Sequence, residues 1–300
     1  MMRIFILKFI VLCLFILVIF SSVSSAHSSQ KAAQNKTPVK FINYIFAGRV
    51  NHLVESINNS ASVSYSAYNL SYGEYNQCIY FKPCSGNTSS KYLDTEDGSL
   101  PDLGLNFSFT FLHFADKIHY DYANGATSYA ERNPPIGTDN DIIYNISDRL
   151  GYMLAITHNF VVTPYIKASK YIWNRVILPS YPLISYREKY RTYYWQLGLI
   201  AEYALTSNFL LKISGGIGYT FDPRMAAYFN TPAHFSLGSK MVYGFKLDNY
   251  YLFMKHIYLR YGIAYRRMKF GYSPLYDGFI YEPSSVTNTF LYTAGIGYAF

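Results

Sequence analysis

Large apolar residues alternate with small or polar residues over most of the chain. In residues 209–221, for example, the odd-numbered positions are mainly apolar, and Lys212, Ser214 and Thr220 lie between them. A period of two places successive side chains on opposite faces of a β-strand. The pattern therefore predicts strands with one apolar face and one small or polar face.

The alternation predicts ten strands, with eight or twelve as the alternatives. They are expected at 61–72, 103–113, 117–130, 141–157, 159–175, 190–205, 208–222, 237–250, 255–270 and 288–300. Long joins are expected at 73–102, 131–140, 176–189, 223–236 and 271–287. Short joins alternate with them, as in an antiparallel transmembrane β-barrel with short periplasmic turns and long extracellular loops. The predicted fold is therefore all-β, with a barrel over residues 61–300.

The first 26 residues have the pattern of a secretory signal. A charged start and a long apolar run lead to small residues at Ser24 and Ala26, which predicts cleavage after Ala26. A retained membrane anchor is the alternative. Residues 27–60 are expected to form a periplasmic leader, in which 38–57 could hold a further strand or a short helix. Export and the barrel together predict the outer membrane of a Gram-negative bacterium.

Composition agrees with this location. The chain has 33 Tyr and 22 Phe residues, and its formal charge of +8 becomes +6 once Arg3 and Lys8 leave with the signal. A cationic surface could meet anionic lipopolysaccharide, although basic residues inside a barrel would give the same total. The expected partners are outer-membrane lipid, lipopolysaccharide, the barrel-assembly machinery through the C-terminal strand, and a host protein. No nucleic acid, cofactor or metal is expected.

About ten strands make a barrel that its own side chains fill. Charged residues on the predicted inner face are thus expected to form a paired network rather than a conduction path: Asp121, Arg149, Glu202, Lys212, Lys246, Asp248 and Arg260. Function should then lie in the loops. In one loop, Cys78 and Cys84 are close enough for a disulfide, with two free thiols as the alternative.

Part of the chain resembles the omptins, a family of outer-membrane endopeptidases. The resemblance lies in the ten-strand plan, in residues 184–190 and 194–199, in Pro274-Leu-Tyr-Asp, and in the ending at 290–300. By pattern it covers most of residues 141–300. It implies cleavage of peptides next to basic residues, with water activated by an Asp–His pair opposite a second Asp pair, and a need for lipopolysaccharide.

Three residues match this family's catalytic set by position. They are Asp139 and Asp141 as the Asp pair, and His234 as the histidine. Pro232 stands where the family has the Asp that orients the histidine. Asp and Asn are also common in turns without any catalytic reason.

The sequence supports two functional hypotheses, and we favour the first. In the first, the chain is a non-catalytic surface protein, an adhesin or ligand-contact barrel. Its candidate binding patch comprises Tyr181, Tyr186, Arg187 and Lys189. An aromatic and basic girdle at the level of lipopolysaccharide is the other interpretation of this patch. The alternative function is an omptin-like endopeptidase with a rearranged Asp/His site.

Overall fold

A computed structural model describes residues 50–75, 92–131, 135–179, 185–228, 232–278 and 280–300. The predicted signal peptide, the pair Cys78 and Cys84, and Tyr181 lie outside these ranges. Helical structure within these ranges is too short or too polar to cross a membrane.

Strands form most of the described chain. The helix is α1, His52–Asn58. The strands are β1 Ser60–Tyr75, β2 Tyr92–Phe111, β3 Phe114–Glu131, β4 Pro135–Tyr152, β5 Leu154–Ala155, β6 Phe160–Pro179, β7 Tyr186–Ala204, β8 Phe209–Tyr228, β9 Pro232–Ser236, β10 Met241–Leu252, β11 Ile257–Phe270 and β12 Ser285–Ala299.

The strands close into one antiparallel barrel. Neighbours in sequence pair with each other, and β12 pairs with β1 from Ala299 opposite Ser60 to Ser285 opposite Glu74. Strands β4 and β5 both pair with β6, and β9 and β10 both pair with β8. The short strand β5 therefore counts with β4, and β9 with β10, which leaves ten strands in the barrel wall. The predicted ten-stranded antiparallel barrel is therefore confirmed.

Several strands extend farther than the sequence predicts, all at the same end of the barrel. Strand β2 begins at Tyr92 instead of 103, and β8 continues to Tyr228 instead of 222. Much of the loop predicted at 131–140 is likewise paired strand. The prediction of long loops is therefore not confirmed. The opposite end carries the short turns, such as 112–113, and is the periplasmic end by the usual asymmetry of bacterial barrels.

A belt of exposed apolar side chains surrounds the lower part of the wall. Leu199, Ile217 and Ile263 are 58%, 54% and 47% exposed. The rings of Tyr193 and Phe221 stack 5.3 Å apart at its upper edge. Soluble proteins rarely expose so large a contiguous apolar surface, and membrane barrels carry such a band with aromatic residues at its edges. The belt is therefore the lipid-facing surface.

Helix α1 fills the periplasmic end of the barrel. Its buried residues Leu53, Val54 and Ile57 join an apolar cluster with strand residues that include Met153, Val161, Ala204, Leu210, Tyr250, Tyr258 and Ala299. Asn51 caps the helix by accepting a hydrogen bond from the backbone of Leu53 at 2.8 Å. The described residues of the predicted leader therefore include a helix that packs inside the wall.

Glycine permits the close approach of β7 and β8. A Cβ at Gly218 would lie 1.7 Å from the backbone oxygen of Trp195, a distance that no side chain allows. Gly215 on the same strand has its nearest neighbour at 3.7 Å, which is ordinary contact. The inner-face position 218 therefore requires glycine, whereas position 215 does not.

We expect spin labels at Leu199, Ile217 and Ile263 to contact lipid, because these side chains lie in the apolar belt. In a cysteine-free background, accessibility to oxygen should exceed accessibility to a water-soluble nickel complex at all three sites. A label at Ser207, in the turn between β7 and β8, is the control and should show the reverse order. Water contact at the belt sites would contradict a lipid-facing surface.

Gly218→Val should destabilise the barrel, because the new Cβ would clash with the backbone of β7. We expect a loss of at least about 2 kcal/mol in the free energy of unfolding, measured by urea titration in detergent. Gly215→Val, about 10 Å away along the same strand, is the matched control and should unfold like the parent protein. Equal stability of the two variants would refute the proposed close contact.

Candidate functional site

Arg175 lies inside the extracellular part of the barrel, fully buried, and contacts three carboxylates. Its Nε lies 2.8 Å from Oε2 of Glu96, its Nη2 lies 2.9 Å from Oδ2 of Asp139, and its Nη1 lies 2.9 Å from Oε2 of Glu188. These carboxylates belong to β2, β4 and β7, whereas Arg175 belongs to β6. One guanidinium therefore links four strands, and its planar group of five N–H donors suits such contacts.

Aromatic rings enclose this arginine. The guanidinium lies 4.8 Å from the ring centre of Tyr72 and 5.0 Å from that of Trp173, which are cation–π distances. Trp173 stacks on Tyr190 at 5.3 Å, and Tyr190 lies 6.0 Å from Phe270. All four rings are at most 2% exposed. They form an aromatic layer, Tyr72, Trp173, Tyr190 and Phe270, across the extracellular half of the lumen.

Asp141 is also fully buried, next to this layer. Its Oδ1 accepts a hydrogen bond from the indole N–H of Trp173 at 2.7 Å. Its Oδ2 accepts one from the hydroxyl of Thr127, also at 2.7 Å. Both oxygens are thus engaged by donors that fix the carboxylate in place.

Three further acids lie beyond the lipid-facing belt. The hydroxyl of Tyr72 donates to Glu74 at 2.6 Å, and that of Tyr190 donates to Glu282 at 2.8 Å. Burial raises the pKa of Asp94 to about 7. Burial and neighbouring carboxylates hold the pKa values of Glu74 and Glu282 well above their usual range. Glu74 and Glu282 therefore favour the protonated form in the folded protein, and Asp94 changes its protonation near neutral pH.

The structure does not bring His234 together with Asp139 and Asp141. His234 is exposed on β9, whereas its neighbours Ala233 and Phe235 are buried against the inner cluster. Because alternate residues of a strand point to opposite sides, burying Phe235 directs the imidazole outward. The two aspartates point inward and are held by Arg175, Trp173 and Thr127.

The structure divides the predicted binding patch: Arg187 and Lys189 lie on the outer wall of β7, whereas Tyr186 alternates with them and lies on the inner face. Arg187 and Lys189 are exposed, and Tyr186 is half-buried. The guanidinium of Arg187 lies 4.4 Å from the ring centre of Tyr228 on β8. Tyr181 lies outside the described residues. The structure therefore brings together the two cationic members of the patch.

More basic residues continue this patch down the wall. Arg191 on β7 pairs in register with Arg224 on β8, and Arg224 contacts Asp222 at 2.7 Å. Arg187, Lys189, Arg191 and Arg224 form what we call the basic strip. It lies directly above Tyr193 and Phe221, at the upper edge of the lipid-facing belt.

Several solved structures, among them outer-membrane and surface proteins, have a similar shape. Outer membrane protease OmpT from Escherichia coli matches with a TM-score of 0.45 and 10% identity, over 81% of this chain and 97% of that chain. Neisserial surface protein A matches with a TM-score of 0.34 and 9% identity, over 80% and 97%. The attachment invasion locus protein Ail of Yersinia pestis matches with 0.32 and 11%, over 81% and 99%.

The chain has the fold of an outer-membrane β-barrel. Neither a protein-family model nor a curated protein sequence matches it. The identities to the three structures are too low to transfer an activity or a ligand from any of them. Function therefore has to be argued from the residues of this chain.

Arg175 and its aromatic neighbours were missed in the sequence analysis. Alternation through Tyr171, Trp173 and Arg175 places all three on one face of β6, and they are fully buried. That alternation could have identified the three residues from the sequence as members of the barrel interior. The three carboxylate partners could not be assigned in this way, because they depend on the register between strands.

Asp94→Asn should stabilise the protein at high pH. Because the folded-state pKa of Asp94 is raised to about 7, its stabilising contribution is complete below about pH 4 and is lost as pH rises through 7. Asparagine cannot ionise, so the variant should be more stable than the parent by about 4 kcal/mol at pH 8. The difference should shrink toward zero at pH 4.

Urea unfolding followed by intrinsic fluorescence at both pH values measures this effect. Asp97→Asn is the matched control, since Asp97 is exposed on the same strand. It should show no pH-dependent difference from the parent. A destabilised Asp94→Asn variant at pH 8 would contradict the assigned protonation.

Proposed function

We propose that the chain is a bacterial outer-membrane surface protein that acts by binding, without catalysis, through the part of the barrel above the membrane. The observation that carries this proposal is the basic strip. Its residues are exposed except for the half-buried Arg191, Arg187 has an aromatic partner in Tyr228, and the strip lies on paired strands.

The placement of the acidic residues supports binding over catalysis. A general base needs to reach the proton that it removes. Asp139 contacts Arg175, Asp141 accepts hydrogen bonds from Trp173 and Thr127, and His234 faces the other side of the wall. No observation favours the omptin-like endopeptidase.

The packing of the lumen supports binding over conduction. The aromatic layer crosses the extracellular half, and α1 with its apolar cluster fills the periplasmic end. A solute would have to displace both to pass. The outer wall, by contrast, is accessible without any rearrangement.

The chemistry of the strip predicts an anionic ligand. Arg187 and Lys189 are two residues apart on one face of β7, so their charges point the same way. Arginine binds sulfate, phosphate and carboxylate through parallel N–H donors. We infer that the ligand is an acidic glycan on another cell or a host surface.

Lipopolysaccharide in the same membrane is the second candidate ligand. The strip points sideways from the wall, directly above the upper edge of the lipid-facing belt. Phosphate groups of the outer leaflet would lie at that height. In that case the strip anchors the barrel among its lipids, and any adhesion depends on other residues.

Arg187→Gln with Lys189→Gln should weaken binding to acidic glycans by at least about tenfold. Each lost charge-assisted hydrogen bond costs about 1.5 kcal/mol or more. The measurement is binding of the folded barrel in detergent to immobilised heparin at fixed ionic strength. Lys255→Gln, in the exposed periplasmic turn, is the matched control and should bind like the parent.

Two further measurements distinguish the adhesin from the lipid-anchoring and endopeptidase alternatives. If the double variant loses binding to lipopolysaccharide vesicles but the parent never binds heparin, the lipid interpretation replaces the adhesin. If the parent cleaves peptides containing Arg-Arg or Arg-Lys, and His234→Ala abolishes cleavage, the endopeptidase replaces both.

A further inference from the structure

A cavity of about 160 Å³ lies in the middle of the barrel, between α1 and the aromatic layer. Its wall is unusually rich in cations. They are Lys117, Arg149, Lys167, Lys246 and Arg266. Five strands contribute them, so the closed barrel brings together positive charges that are far apart in the sequence.

Two aspartates near this cavity are already engaged. Asp248 contacts Arg260 at 3.0 Å and Lys246 at 3.4 Å. Asp121 contacts the imidazole of His119 at 2.7 Å and accepts a hydrogen bond from Asn145 at 3.2 Å. The predicted pairing is thus found for Asp248, but its carboxylate is shared between two cations.

The remaining cations have no carboxylate partner within the part of the chain that the structure describes. Arg149 and Lys167 lie over tyrosine rings, at 5.3 and 5.5 Å. Arg266 donates to the hydroxyls of Tyr68 at 2.8 Å and Tyr194 at 3.4 Å. Aromatic rings and hydroxyls orient these cations, and Asp121 is the one carboxylate among the described residues that line the cavity, so positive charge is in excess there.

Uncompensated charge inside a protein is costly. The free-energy cost of removing an ion from bulk water is offset only when an opposite charge or hydrogen bonds replace the water. Like charges facing one cavity also repel each other. An anion in the cavity would offset both costs at once.

We propose that this cavity binds a small tetrahedral oxyanion, such as phosphate or sulfate. The cavity has room for such a ligand together with water, because about 10–15 Å³ of volume measured in this way is enough for one water molecule. Arg149, Lys117 and Lys246 supply donors from β4, β3 and β10. This site is independent of the basic strip, which lies on the outer wall.

A second, much smaller space lies beside the cavity, on the side of α1. A crevice of about 10 Å³ is lined by Lys117 and Arg149, which also line the main cavity, and by Asn58 at the end of α1. Asn58 also donates to Glu202 at 3.0 Å and accepts from Lys212 at 2.9 Å.

Equilibrium dialysis with radiolabelled inorganic phosphate tests the proposal on the full folded barrel in detergent. At constant ionic strength, the parent should take up one phosphate per chain in a saturable manner. Lys117→Gln with Arg149→Gln should weaken uptake at least about tenfold. Arg149→Lys keeps the positive charge and should retain most of the affinity for phosphate. This single variant can still be measured if the double variant fails to fold.

Two controls locate the site. Lys255→Gln should leave uptake unchanged, and so should the strip variant Arg187→Gln with Lys189→Gln. The proposal is overturned if the parent shows no saturable uptake, if the strip variant loses it, or if the cavity variant binds like the parent. Failure here would leave the outer-wall function untouched, since that function is measured with heparin.

Discussion

The seam between β12 and β1 is the contact on which the rest of the molecule depends. Hydrocarbon offers no partner for a backbone amide or carbonyl, so a sheet that crosses a membrane has to pair both of its edges. Here the pairing runs without interruption from Ala299 opposite Ser60 to Ser285 opposite Glu74. Closure then decides which side chains meet lipid and which fill the lumen, because alternate residues point to opposite sides of the wall.

The closed lumen separates charge along its axis. Acidic residues surround Arg175 in the extracellular half, whereas cations such as Arg149 and Lys246 surround the cavity below the aromatic layer. The two groups can reduce the cost of burial in different ways. Carboxyl groups such as Asp94 can take up a proton. Arginine cannot release one in proteins, so a bound anion is the partner that we propose for Arg149 and Arg266 at the cavity.

Alternation along the chain was sufficient to predict the strand order and the inner and outer faces. Asp141 and Arg175 stand at the ends of the strands predicted at 141–157 and 159–175, and alternation alone does not fix their relative height. Their proximity comes from the register between β4 and β6, in which Asp141 stands opposite Arg175. His234 shows the same limit, since its direction depends on which neighbour the barrel buries. Periodicity also could not show that the strands continue above the membrane, because exposed polar wall and polar loop have similar composition.

Residues 186–190 show how one strand serves two surfaces. Arg187 and Lys189 point outward, whereas Glu188 and Tyr190 point inward. Opposite charges this close would normally cancel for a distant partner. Glu188 is instead engaged by Arg175 at 2.9 Å, behind the wall and out of water. An anionic partner outside therefore meets the positive charge of Arg187 and Lys189, and the acidic interior does not weaken the strip as a binding surface.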